Sequence, residues 1–273
     1  MIASVRTAEG AAIFGENIEV LVGDLNTLAS LPEGIDAIVH AAATSPAPGA
    51  GLASFESDNA DATRALVECA RVAGVPRIIY LSSISVHGEI AVPIVDEDTP
   101  VNVPDPYGAA KLAGERVVAE LTESGGTATL VLRLPGVIGR GAARNWLAGV
   151  HAALAADEEV EIYNPDDPFN NACHVSDLTE LVILALERDW RGAQCLTVAS
   201  RGQVTIRQAV EILAEAMEVV PRIRVIDAPQ PSFLVSNERA VREFGFTPLH
   251  IRDALVRFGR EQSGLTPMKE MAS

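Results

Sequence analysis

Positive charge is scarce in this chain. Its 273 residues carry 21 Lys and Arg against 37 Asp and Glu, a net charge of −16. Nucleic acid and anionic membrane surfaces both demand a basic footprint, so neither is expected as a partner. Cysteine is scarcer still. Cys69, Cys173 and Cys195 are widely spaced and odd in number, which excludes a disulfide framework and fits buried thiols of a reducing compartment. No apolar run approaches the ~18 residues of a membrane span, and Met1–Arg6 is no basic leader. A cytoplasmic location is the expectation. His40, His87, His151, His174 and His250 form no His-x-x-x-His pair, so zinc chemistry has no ligand set and the histidines read as structural. No Gly-x-Ser-x-Gly surrounds a serine, which removes one common hydrolase design.

Lysine is rarest of all, with only Lys111 and Lys269 among the basic residues. A chain that otherwise uses arginine keeps a lysine where a compact ammonium on a flexible stem does what a planar guanidinium cannot. Lys111 belongs to Tyr107-Gly108-Ala109-Ala110-Lys111, preceded by Asp105 and Pro106. Asp105 suits a helix cap and Pro106 a first turn. Tyr107 and Lys111 then share one helical face. The ammonium there favours the phenolate, lowering the tyrosine pKa from about 10 and fitting it for general acid–base work.

Along the first half, short β-rich runs alternate with helical ones. Strands are expected at Ile2–Arg6, Ile18–Val22, Ala37–His40, Arg77–Leu81 and Thr129–Arg133. Helices are expected at Ala8–Phe14, Phe55–Ala73 and Tyr107–Glu123. This alternation predicts a parallel sheet covered by helices on both faces. After Pro135 the loops lengthen, with helices expected at Ser176–Glu187, Thr205–Met217, Ser236–Phe244 and Ile251–Glu261. Thr205 and Gln208 form a capping-box pattern. The expected division is a sheet region over residues 1–135, a smaller α+β substrate lobe over 136–264, and a tail over 265–273.

Several residues fall at the carboxyl ends of the expected strands, where open parallel sheets bind ligands. They are Asp24, the small residues of His40–Ala43, Ser83, and Arg133-Leu134-Pro135-Gly136; Asn59 lies near the start of a helix, and the Tyr107/Lys111 pair follows 24 residues after Ser83. In this order and spacing the chain resembles the extended short-chain dehydrogenase/reductase family, the NAD-dependent epimerases and dehydratases. The resemblance runs from about Ile2 to Glu261. It implies a Rossmann-like doubly wound α/β fold that binds NAD or NADP and a small-molecule substrate, a nucleotide sugar among the candidates. Catalytic roles would fall to Ser83, Tyr107 and Lys111. Cofactor binding would fall to Arg6, Asp24, Leu25, Ala42, Ala43, Asn59 and Pro135, together with Tyr107 and Lys111. Arg6 stands where an acidic residue selects NAD, so a basic one there favours the NADP phosphate. A homodimer through Phe55–Ala73 and Tyr107–Glu123 is a further implication. An NADPH-dependent carbonyl reductase of the same family, or a binding relative without catalysis, are the alternatives; Gly136 suits the reductases, since nucleotide-sugar enzymes often carry Asn there.

One family feature is missing, the opening strand with Gly-x-x-Gly-x-x-Gly and its helix. Ile18–Asp24 matches the family's third strand, which makes Ile2–Arg6 the second and starts the chain one strand and one helix late. The missing strand is central in the order 3-2-1-4-5-6. A late start or truncated gene is the favoured explanation, because two buried strand edges facing a gap would leave orphan backbone groups costing roughly 1–3 kcal/mol each. If the chain folds as given, Ile2–Arg6 is expected to pair directly with Ala37–His40, or else to form a displaced, poorly ordered segment.

Overall fold

The computed structural model describes residues 1–46, 51–102, 104–227 and 232–264; the expected tail, 265–273, lies outside them. Two compact units emerge. One comprises residues 1–88, 103–132 and 190–195, the other 89–102, 133–189 and 196–273.

In the first unit the strands are β1 (Ile2–Val5), β2 (Glu19–Val22), β3 (Ile38–His40), β4 (Arg77–Ser83), β5 (Ala128–Leu134) and β6 (Ala193–Thr197). A four-stranded sheet has the order β6-β5-β4-β3, and β1-β2 form a separate pair. The β3–β4 and β1–β2 pairs are both parallel, with Val39 opposite Ile79 and Ser4 opposite Leu21. Helices α1 (Ala8–Ala11), α2 (Leu52–Phe55), α3 (Ala62–Ala73) and α4 (Pro106–Gly125) connect them. Helix α3 presents Leu66, Val67 and Ala70 to the core and stops at Gly74, whose φ of +66° is the left-handed cap that glycine adopts without strain. Val67, Ala70, Val75, Ile78, Tyr80, Val118, Leu121 and Val131 make one buried cluster between the sheet and helices α3 and α4.

The sheet differs from expectation at the place where the sequence raised the question. β1 pairs with β2 and, among the described residues, not with β3. Neither expected outcome occurs, because β1 is a regular strand that lines the same cavity as β3. Ile2, Val5, Ile38 and Val39 wall this cavity of about 610 Å³. The physical reason is solvent. No β1 residue is buried and Val39 is 41 % exposed, so water can satisfy edge groups that would be costly only if buried. Residues of β4 and β5 are by contrast mostly buried. Amides of β1 and β2 are therefore expected to exchange hydrogen much faster than those of β4 and β5. Equal protection in an exchange experiment would overturn this account.

The helix expected over Phe55–Ala73 is interrupted by a wide π-turn at Glu56–Asp61. The wider turn carries Asp58 and Asn59, whose side chains both bond Thr44.

The second unit packs α5 (Trp146–Ala155), α7 (Ile206–Ala216) and α9 (Ile251–Gln262) around one apolar core, with α6 (Val175–Glu187) and α8 (Glu238–Phe244) completing its helices. The sequence pattern did not disclose α5. Thr205 and Gln208 do form the reciprocal capping box at the start of α7.

Candidate active site

Helix α4 begins as its sequence suggests. Asp105 accepts a hydrogen bond from the Gly108 amide at 2.6 Å and Pro106 occupies the first turn. Tyr107 lies in that turn with its ring edge-on to Phe55, centroids 5.8 Å apart. Ser83 acts to lower its pKa, against the larger rise from burial. Ser83 caps the short turn Ile84–His87 by accepting from the Ser85 amide at 3.1 Å, and donates to the Ser85 hydroxyl at 3.1 Å. The strand end and the helix start thus meet at the Ser83–His87 turn.

Their close approach depends on Gly108. A Cβ at that position would lie 2.1 Å from the Ser85 carbonyl oxygen. This requirement was not singled out in the sequence, because it arises from a neighbour 23 residues away.

Lys111 is almost wholly buried, at 2 % exposure. Its ammonium sits 4.3 Å from the centre of the Tyr80 ring, a cation–π contact. Burial pulls the Lys111 pKa down to about 8, and the Glu115 carboxylate works against it. Glu115, one turn further along α4, accepts a hydrogen bond from Ser82 at 2.5 Å. Tyr80 also lies against His40, with ring centroids 5.4 Å apart. His40 bonds Thr63 at 2.9 Å, and burial followed by the Lys111 charge pulls its pKa down to about 3, so the ring is neutral. Tyr80 and Glu115 are the residues that sequence reasoning missed. A lone tyrosine in an apolar strand and a glutamate on a helix carry no signal until the fold sets them around one ammonium.

The expected effect of Lys111 on Tyr107 is corrected here. Burial holds the Tyr107 hydroxyl above its ordinary value, Ser83 opposes this, and Asp105 adds to the rise. The ammonium is directed to Tyr80 and Glu115 instead, so the phenol remains protonated near neutrality.

Of the remaining residues, Arg6, Leu25, Ala42 and Ala43 line the cavity of the first unit together with Asp58. Asp24 accepts from the Asn26 amide at 2.9 Å and caps the turn Leu25–Thr27. Arg6 pairs with Asp58 at 3.1 Å and stands 4.0 Å from Asp24. Two carboxylates therefore compete with any phosphate for the one cation that NADP selection would need. The side-chain amide of buried Asn59 accepts from the Thr44 amide at 2.7 Å and donates to its carbonyl at 3.0 Å. Asn59 thus holds the loop after β3. Pro135 belongs to the second unit. Among the described residues no cluster of His, Cys, Asp and Glu could hold a metal ion, and no helix is long and apolar enough to cross a membrane.

The second unit has its own pocket of about 350 Å³, walled by Trp146, Tyr163 and Phe169 with Asn145, Asn171 and Gly136. Trp146 meets Phe169 edge-on at 5.2 Å. Asn145 caps α5 and donates to the Val137 carbonyl at 2.8 Å. The side-chain oxygen of Asn171 is buried and has no hydrogen-bond partner.

The chain resembles known proteins over most of its length. D-erythronate dehydrogenase of Cupriavidus necator is 36 % identical over 126 residues, which cover 43 % of this chain and 38 % of that relative. UDP-glucose 4-epimerase of Corynebacterium glutamicum is 27 % identical over 260 residues, covering 85 % of this chain and 78 % of the epimerase. Among solved structures, MoeE5 in complex with UDP-glucuronic acid and NAD superposes with a TM-score of 0.80 at 25 % identity, over 96 % of this chain and 89 % of MoeE5. RMD from Pseudomonas aeruginosa, complexed with NADPH, shares the fold with a TM-score of 0.77 at 23 % identity, over 96 % and 98 % of the two chains. The model of the NAD dependent epimerase/dehydratase family matches residues 3–195. The doubly wound sheet and this match agree, and the chain belongs to the NAD-dependent epimerase/dehydratase family.

Proposed function

We propose that this chain is an NAD(P)-dependent oxidoreductase of the epimerase/dehydratase type, acting on a sugar nucleotide or a related hydroxy or carbonyl compound. One observation carries the reading. The Tyr107 phenol lies within the influence of Ser83 and one turn before the buried Lys111 ammonium, a set able to exchange a proton with a substrate oxygen. Tyr107 holds its proton and donates it to a substrate carbonyl; the Ser83 hydroxyl orients that oxygen. The reverse direction needs the phenolate, which the Lys111 charge would favour once a ligand brings the groups together. The nicotinamide, when bound, supplies the hydride chemistry.

The residues fit the cofactor unevenly. Ser83, Tyr107 and Lys111 suit the nicotinamide end, and Asp24 and Leu25 suit the adenine end. The diphosphate has no comparable support. The cavity there is walled largely by apolar groups, and Arg6, its one cation among the described residues, is held by Asp58 and Asp24. This favours, as the second reading, a relative that binds no dinucleotide and does no catalysis. Titration with NADH and with NADPH, followed by nicotinamide fluorescence, separates the two. Saturable binding together with interconversion of a nucleotide sugar, or reduction of a carbonyl substrate, supports the enzyme. Absence of both leaves the binding relative.

The pH profile supplies a sharper test. Lys111 is charged below about 8 and neutral above it, so an activity that uses the ammonium falls as pH rises through about 8. Glu115 raises the Lys111 pKa, so Glu115→Gln moves that fall to lower pH while its amide oxygen still accepts from Ser82. An unmoved alkaline limb would separate Lys111 from the reaction.

A further inference from the structure

We infer that Tyr80 is a positioning residue for the Lys111 ammonium: the face of its buried ring holds the charge, and Gly114 makes the room that the ring needs. The inference rests on the role proposed above for Lys111, but its first readouts need neither substrate nor cofactor. Lys111, Gly114 and Glu115 share one face of α4, at intervals of three and four residues. That face meets Tyr80 of β4, which is fully buried. The Lys111 nitrogen sits over the ring, 4.3 Å from its centre, inside the roughly 6 Å reach of a cation–π attraction. A Cβ at Gly114 would lie 2.3 Å from the Tyr80 hydroxyl oxygen and 2.8 Å from the ring carbon that bears it. A larger residue there would push the ring off the helix. The hydroxyl also stands 3.5 Å from the Lys111 carbonyl oxygen. These contacts fix the ring from the side of α4, and His40 of β3 lies against it with centroids 5.4 Å apart.

The chemistry calls for such a partner. A buried ammonium has lost its hydration, so other groups must meet its charge or it gives up its proton. Glu115 meets the charge from the next turn of α4. His40 does not compete, because burial and the Lys111 charge keep it neutral. Burial keeps the Tyr80 phenol protonated as well, so Tyr80 acts through its ring and not as an acid or base. An aromatic face attracts a cation yet takes no proton from it. Tyr80 therefore favours the charged form of Lys111 and fixes where that charge stands, one turn from Tyr107.

The test is NMR on the intact chain labelled at the lysine ε-carbons. Lys111 and Lys269 are the only lysines, and Lys269→Arg identifies the Lys111 signal. In the unaltered chain the Lys111 ε-protons are expected upfield of those of Lys269, because they lie over an aromatic face. The Lys111 midpoint is expected at about 8. Tyr80→Phe keeps the ring and should leave both readouts in place. Tyr80→Leu should remove the upfield shift and lower the midpoint by about half a pH unit or more. Gly114→Ala drives the ring away while keeping both side chains, and should act as the leucine does; it decides the matter where Tyr80→Leu does not fold. Three outcomes overturn the inference: no upfield shift in the unaltered chain, an unmoved midpoint in a folded Tyr80→Leu or Gly114→Ala chain, or a fall in Tyr80→Phe as large as in Tyr80→Leu. In a turnover assay the alkaline limb should follow the Lys111 midpoint from variant to variant. A midpoint that moves while the limb stays supports the hold of Tyr80 on Lys111 and overturns the part proposed for Lys111 in the reaction.

Discussion

Tyr107→Phe is expected to cut turnover by about 10²–10⁴-fold while leaving the fold intact. The substitution removes only the phenolic hydroxyl, whose pKa Ser83 acts to lower. The ring keeps its edge-on contact with Phe55, so packing changes little and thermal unfolding should move by no more than a few degrees. The measurement is kcat for the substrate found active, with NADH affinity as a second readout. The expected pattern is a collapse of kcat at near-normal cofactor affinity, since the role proposed for the hydroxyl is to move the proton of the reacting oxygen. Turnover close to that of the unaltered chain would remove Tyr107 from the chemistry. Equal loss of kcat, cofactor affinity and stability would mean that the tyrosine is structural.

The second large effect is expected at Gly108, which has no side chain to offer the chemistry. In Gly108→Ala the new methyl group meets the Ser85 carbonyl oxygen at 2.1 Å and the Pro104 side chain at 3.0 Å. The first of these is backbone and cannot swing away, so the start of α4 must retreat from the Ser83–His87 turn. We expect a loss of about 1–3 kcal/mol in stability, the usual cost of overpacking. Activity should fall by more than the unfolded fraction accounts for, because the retreat pulls Tyr107 away from Ser83. Unfolding curves and kcat measured on the same preparation separate the two contributions. A stable, fully active alanine variant would show that the close approach has no part in the site.

Gly108 illustrates which parts of this protein can be read along the chain. Local signals were sufficient for α4. Asp105, Pro106 and the four-residue interval from Tyr107 to Lys111 act within one or two turns, and the structure shows the cap and the first turn as anticipated. The capping box at Thr205 and the strand expected at Arg77–Leu81, which runs on to Ser83, were legible for the same reason. The helix over Phe55–Ala73 and its end at Gly74 were legible too, but not its π-turn, which answers to Thr44, distant in sequence. Arg6 was expected to face a phosphate; its partners, Asp24 and Asp58, come from two other elements.

By itself the sequence determined the alternating α/β architecture, the family and the placement of a tyrosine and a lysine on one face of one helix. Those properties depend on periodicity and spacing, which are local. Only the tertiary structure decided where the ammonium points, toward Tyr80 and Glu115, and that burial leaves Tyr107 protonated. It also decided that β1 stays beside β2 with a solvent-accessible slot between β1 and β3. Charge and hydrogen-bond energies depend on how much water remains around each group, and the amount of water is set by distant segments packing together.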